Sequence, residues 1–152
     1  MWMKQWTKEI EIEAPIEQVW KLLNGSLDDM QKIMPQVVSN EPVTITEGMV
    51  GSIHLQKYKE GKRVMEYEVE TLDYLDFPNE KKLKVGFTLG GMFEITANYD
   101  LIKMDNEKTK FIYTTTNRPL KWFVKIFLLF SNEKVVVDFV QRVKKVAENK
   151  GA

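Results

Sequence analysis

Hydrophobic and polar positions alternate along most of this chain, and the period changes only near its two ends. Ile10, Ile12 and Ala14 interleave with Glu9, Glu11 and Glu13, the period-2 pattern of a strand with one covered face. That strand begins near Trp6 and stops at Ala14-Pro15. Pro15 suits the first turn of a helix, where a missing amide donor costs nothing. Ile16, Val19, Trp20 and Leu23 then recur at helical spacing and form one apolar stripe. Asn24-Gly25-Ser26 breaks this helix. Ser26 is placed to cap the next one, with Asp28 and Asp29 in its first turn. Leu27, Met30, Ile33 and Met34 form its apolar side, and Pro35 ends it.

Six further strands are expected between Val37 and Thr116. Val37 to Thr46 sets Val43 and Ile45 on one face. Met49 to Tyr58 sets Ile53 and Leu55 on one face, which assigns His54 to solvent. Lys59-Glu60-Gly61-Lys62 reads as a hairpin turn. Arg63 to Tyr74 is the cleanest strand, with Met65, Tyr67 and Val69 dry and Glu66, Glu68 and Glu70 wet. Lys81 to Leu89 brings Leu83, Val85, Phe87 and Leu89 into phase, with Gly86 as the candidate for a bend. Met92 to Met104 does the same for Phe93, Ile95, Ala97, Tyr99 and Leu101, and Thr109 to Thr116 for Phe111, Tyr113 and Thr115. The short connections favour antiparallel neighbours.

From Pro119 to Asn149 the period becomes helical. Trp122, Ile126, Leu129, Val136, Val140 and Val143 form one stripe, with Phe123, Phe127, Phe130 and Val137 beside it. Lys134, Asp138, Arg142 and Lys145 are expected outside. The run Val135-Val136-Val137 has poor helix propensity, but the apolar spacing continues on both sides of it. The fold class is therefore α+β: a curved seven-stranded antiparallel sheet, two short helices and a long C-terminal helix (β-α-α-β6-α), as one domain over residues 1–152.

Such a sheet cannot close completely around a helix about 10–12 Å across. Large side chains must fill the gap, or a pocket remains. The predicted ligand-binding lining is Tyr67, Phe87, Phe93, Tyr99, Phe111, Tyr113, Thr115, Phe123 and Phe127: apolar walls with a few hydroxyls to orient a guest. Asn117 adds a further polar group, and Asp73 and Asp76 flank a loop at the expected mouth. The alternative is a packed core whose tyrosine hydroxyls bond to backbone. The apolar cluster Trp122 to Phe130 has three readings: core plus cavity wall, a partly exposed portal or dimer surface, or a membrane-touching patch beside Lys121 and Lys125.

Composition narrows the chemistry. Lys+Arg and Asp+Glu balance at 22 each over 152 residues, so nothing global attracts nucleic acid. Cysteine is absent and histidine occurs once, which leaves no thiol chemistry and no compact zinc-ligand spacing. No metal and no cofactor is expected. The glycines match neither a phosphate loop nor a dinucleotide fingerprint. No leader peptide is read at the start, and the greasiest window is too short to span a bilayer. A cytoplasmic protein without stable membrane insertion is expected.

The segment Ile10-Glu11-Ile12-Glu13-Ala14-Pro15-Ile16-Glu17-Gln18-Val19-Trp20, with the order of elements around it, resembles the opening of the START/SRPBCC superfamily. This group includes the birch-pollen-allergen-like, lipid-transfer and polyketide-cyclase-like proteins. The resemblance covers essentially the whole chain and implies a helix-grip fold with a hydrophobic ligand cavity between sheet and terminal helix. It implies binding or transport of an apolar small molecule or lipid, and in a minority of members cyclisation or ring hydroxylation. One histidine cannot supply the iron site of the ring-hydroxylating members. Glu47-Gly48-Met49-Val50-Gly51 is poorer in glycine than the corresponding allergen loop. Three functions stay open: an apolar-ligand binder; a cyclase- or isomerase-like enzyme on a polyketide-like or aromatic substrate, with a tyrosine or Arg118 polarising a carbonyl; and an interaction domain using Trp2, Trp6 or the helix patch. A homodimer through the C-terminal helix is a further expectation. No constellation of residues assigns a catalytic group.

Overall fold

The computed structural model describes residues 3–89, 91–121 and 133–149. Its elements run β1 (Lys4–Ile12), α1 (Ile16–Asn24), α2 (Leu27–Ile33), β2 (Val37–Thr44), β3 (Ile53–Glu60), β4 (Arg63–Asp76), β5 (Glu80–Leu89), β6 (Phe93–Asp105), β7 (Lys108–Pro119) and α3 (Glu133–Glu148). The strands form one curved antiparallel sheet in the order β1-β7-β6-β5-β4-β3-β2. The first two strands in sequence thus lie at opposite edges, and α1 and α2 carry the chain from one to the other.

Local chemistry explains the helices. The Pro15 carbonyl accepts from the Gln18 and Val19 amides at 3.0 and 3.3 Å, which starts α1. Ile16, Val19, Trp20, Leu22 and Leu23 are its buried residues. At Gly25 a Cβ would lie 2.2 Å from the Lys21 carbonyl oxygen, so only glycine permits the tight passage into α2. The Ser26 hydroxyl accepts from the Asp29 amide at 3.2 Å and caps that helix. In α3, Val136, Val140, Val143 and Ala147 face the core while Val135 is exposed; the β-branched run is helical because Val136 begins a buried stripe that continues at three- and four-residue spacing.

The core sits at one end, where α1 and α3 meet β5, β6 and β7. Ile12, Val19, Leu101, Phe111 and Val143 are fully buried there. Polar contacts hold α3 in place. Arg142 Nη1 donates to the Ile33 carbonyl at 3.2 Å, Lys144 Nζ to the Glu11 carbonyl at 2.9 Å, and the Glu13 amide to Glu148 Oε2 at 2.7 Å. Gln18 Nε2 also donates to the Ala147 carbonyl, and Lys8 pairs with Glu133.

Several expectations are corrected. Pro119 does not open the terminal helix: β7 runs through it, pairing Asn117 with Ile95, Arg118 with Glu94 and Pro119 with Phe93. Proline is tolerated at such a strand end, where no further ladder bond is required of its nitrogen. The described part of the terminal helix begins at Glu133; Trp122 to Phe130, including Phe123 and Phe127, lies outside the described residues, as does Trp2. Val43 and Ile45 are more than half exposed, because β2 is an edge strand with bulges at Val37/Ser39 and Pro42/Thr44 that interrupt its phase. Gly86 makes room for a neighbour: a Cβ there would lie 2.8 Å from Leu72 Cδ1, beside the β4 bulge at Thr71/Asp73.

Candidate functional site

Between the sheet and α3 lies a cavity of about 850 Å3. Its floor follows from strand register, since directly paired residues share a face. One row crosses from β1 to β4 as Trp6, Thr115, Ala97, Val85 and Thr71. A second row comprises Asn117, Ile95 and Phe87. All eight line the cavity. Ala97 stands at the centre of the first row, and its small side chain leaves the floor deep. Toward the core, Tyr99 and Tyr113 stack at 5.5 Å, and Phe139 of α3 packs on Tyr113 at 4.7 Å. This aromatic group separates cavity from core.

Of the residues singled out from sequence, Tyr67, Phe87, Tyr99, Tyr113 and Thr115 are brought together on the cavity wall. Tyr67 and Phe87 stack with ring centroids 4.7 Å apart. Phe111 is fully buried one step deeper, in the core behind Tyr113, and Phe93 lies half-buried at the start of β6; neither lines the cavity. Arg118 follows Asn117 in β7 and so emerges on the opposite, outer face, where Nη2 pairs with Glu94 Oε2 at 2.8 Å. It cannot reach a guest in the cavity. Asp73 lies on the outer side beside Lys82 and Lys84. Asp76 pairs with the buried Lys81, not with a ligand.

The principal corrections concern β3 and α3. His54, Gln56 and Tyr58 line the cavity; Ile53 and Leu55 take the outer face. The hairpin decides this. Glu60 pairs with Arg63 across a two-residue turn, with Gly61 at φ 61°, so Tyr58, Gln56 and His54 fall opposite Met65, Tyr67 and Val69. Counting back from that turn along the clean alternation of β4 would have assigned the β3 face from sequence. Trp6 also belongs to the cavity, opposite Thr115, instead of to an exposed binding surface. Asp138 and Arg142 line the cavity at its solvent side. Lys134 accompanies Asp138 at 2.7 Å.

The polar groups are directional. Tyr67 Oη donates to Gln56 Oε1 at 3.0 Å, and Gln56 Nε2 approaches Asn40 Oδ1 at 3.5 Å. His54 and Tyr67 are diagonal neighbours across β3 and β4. Asn117 Oδ1 is buried with no hydrogen-bond partner, an acceptor whose desolvation is uncompensated. Burial pushes the Tyr67 phenol up to about 12, with Tyr58 nearby adding to it. Burial also raises Tyr99, helped by Tyr113 and Tyr67, and raises Tyr113 against a hydrogen bond to Thr115. Near neutral pH these phenols are therefore donors that keep their protons.

Among the described residues no group of three or more His, Asp or Glu side chains could hold a metal, and no helix is long and apolar enough to cross a membrane. Glu66, Glu68 and Glu70 are exposed on the outer face.

No protein-family profile and no curated protein matches the chain. Solved structures do. Norcoclaurine synthase from Thalictrum flavum, in complex with dopamine and hydroxybenzaldehyde, superposes with a TM-score of 0.65 at 17% identity, covering 99% of this chain and 89% of that one. The Zhui aromatase/cyclase from a Streptomyces species gives 0.73 at 13% identity, covering 99% and 96%. A major latex-like protein from Panax ginseng gives 0.63 at 17%, covering 96% and 95%. The element order, the sheet closed over α3 and these superpositions together establish the helix-grip fold, of the kind found in the birch-pollen-allergen-like and START/SRPBCC-related proteins.

Proposed function

We propose that the protein binds a hydroxylated aromatic small molecule in the cavity between sheet and α3. The observation that carries this reading is the pairing of stacked aromatic walls with the polar side chains of His54, Asn117 and the Tyr67–Gln56 pair on one cavity lining. A purely aliphatic guest would cover these polar groups without offering them a hydrogen bond. A planar guest with hydroxyl groups satisfies them and stacks on Tyr67, Phe87 and Tyr113. Burying ~200 Å2 of apolar guest surface at ~25 cal/mol per Å2 supplies roughly 5 kcal/mol before ordering costs. The described lining is ample for a guest of that size.

A second reading, cyclase- or isomerase-like turnover of an aromatic or polyketide-like substrate, is favoured by the similarity to a synthase and an aromatase/cyclase. The wall has parts for it: a protonated Tyr67 to donate to a carbonyl oxygen as negative charge develops, and His54, diagonal to it, to take a proton. Arg118 has no role in this reading.

Titration with anilinonaphthalene sulfonate, followed by its fluorescence, tests binding. Displacement by a flavonoid such as naringenin, with oleate much weaker, is the expected result. Preference for oleate would replace the aromatic guest with a lipid, and no binding of either would refute the reading. Mass analysis of products from aromatic aldehyde–amine pairs and linear polyketide analogues tests turnover, which must fall in both His54→Ala and Tyr67→Phe.

A further inference from the structure

The loop between β2 and β3 contains a backbone feature that packing alone does not require. Met49 has φ of 73°, the left-handed region that a side chain disfavours and glycine enters freely. Its loop neighbours Gly48 and Gly51, at φ 78° and 89°, are glycines, as expected there. Methionine at the third left-handed position is the exception.

The surroundings hold it in place. The Met49 amide donates to the Thr46 carbonyl at 3.3 Å, and the Ser52 amide donates to the Met49 carbonyl at 3.0 Å. Ser52 Oγ accepts from the Thr46 amide at 3.0 Å, while Thr46 Oγ1 donates to the Val50 carbonyl at 2.6 Å. Gly51 and Ser52 are then stitched to Thr71 by two backbone bonds of 2.8 Å, and Ser52 and Thr71 are both buried. A strained residue persists where its neighbours over-determine it, and such sites favour function. Met49 lines the cavity. So do Met30 and Met34, and Met30 Sδ is 3.7 Å from Gln56 Nε2.

We propose that Met49 is a specificity-determining residue that touches the bound guest, and that its left-handed backbone is retained, at a cost in stability, because it presents a thioether to the cavity. Its thioether offers a soft contact to an aromatic ring, where sulfur–ring contacts are favourable and an unbranched chain adapts to rings of different outline. This inference rests on the aromatic-guest reading given above.

The test uses the full chain with Met49→Gly, Met49→Ala and Met49→Leu, measuring the thermal midpoint without ligand and the affinity for anilinonaphthalene sulfonate. Glycine relieves the left-handed strain and alanine does not, so the midpoint of Met49→Gly should exceed that of Met49→Ala by roughly 2–4 °C. Both should weaken binding by roughly fivefold or more, and Met49→Leu, which conserves volume, should return it to within about threefold of wild type. Equal affinity across all four proteins would overturn the contact, and a lower midpoint for glycine than for alanine would overturn the strain. Wild type failing to bind the probe would remove the underlying aromatic reading and this role with it, whereas binding that ignores residue 49 would remove this role alone.

Discussion

Filling the cavity from its floor is the most direct test of the architecture. Ala97 is nearly buried, lines the cavity, and lies between Val85 and Thr115 at mid-sheet. A phenyl ring at that position enters the empty space of the 850 Å3 cavity. Burying a phenylalanine side chain contributes about 1.5–3 kcal/mol. Forcing the same ring into a packed interior costs about 1–3 kcal/mol. The two cases differ in sign. Ala97→Phe should therefore raise stability, with a thermal midpoint roughly 3–12 °C above wild type for a domain of this size. It should also abolish anilinonaphthalene sulfonate binding by occupying the site. Differential scanning fluorimetry and a fluorescence titration read the two effects separately. A lowered midpoint would mean that the interior is filled, and unchanged probe binding would mean that the probe sits elsewhere; either result refutes the reasoning.

Other perturbations test the frame that positions the site. Lys81 is 2% exposed, paired with Glu17 at 2.9 Å and with Asp76, its ammonium 5.6 Å from the Trp20 ring centroid. Neutralising both partners in Glu17→Gln/Asp76→Asn removes both charges from the Lys81 ammonium and, since Glu17 and Asp76 reach solvent, should cost about 1–3 kcal/mol in urea unfolding, whereas Lys81→Met should lie within about 1.5 kcal/mol of wild type. Burial by itself would lower the Lys81 pKa, but its bonds to Asp76 and Glu17 and their charges outweigh that and raise it. Its stabilisation is thus complete below the ordinary lysine pKa and fades as pH rises through the higher folded value, so wild type and Lys81→Met should diverge least in strong alkali. Glu148 behaves oppositely. Burial would raise its pKa, but hydrogen bonds from Lys144 and the Glu13 amide lower it, so its contribution is present above the ordinary carboxylate range and lost as pH falls through the folded value. Acid unfolding of Glu148→Gln should converge with wild type only once pH has fallen below the lowered folded value, beneath the ordinary carboxylate range. Gly25→Ala should cost about 2–3 kcal/mol in urea unfolding through its clash with the Lys21 carbonyl.

What the sequence by itself determined is everything that repeats over a long enough window. The alternation of Met65, Tyr67 and Val69 with three glutamates set the face of β4, and the apolar stripe Ile16, Val19, Trp20 and Leu23 set α1. Order and connection lengths then left few ways to arrange seven strands, and the helix-grip architecture was legible from them. Tyr67, Phe87, Tyr99, Tyr113 and Thr115 were placed on the cavity wall for the same reason. What only tertiary structure decided were positions where local pattern is ambiguous or uninformative. The face of β3 falls between the two: both of its phases carry apolar residues, and the two-residue turn into β4 is the signal that turns His54 and Gln56 inward. Trp6 meets the cavity because β1 closes on β7, a contact about a hundred residues apart in sequence. Asp138 and Arg142 look like a solvated helix face, yet they border the cavity because α3 is laid across its opening. Phe111 is indistinguishable from Tyr113 by periodicity, and only the depth at which α3 packs puts one in the core and the other at the site. Periodicity reports which side of an element is covered; what covers it, and whether the space beneath is filled, depends on contacts between residues far apart in the chain.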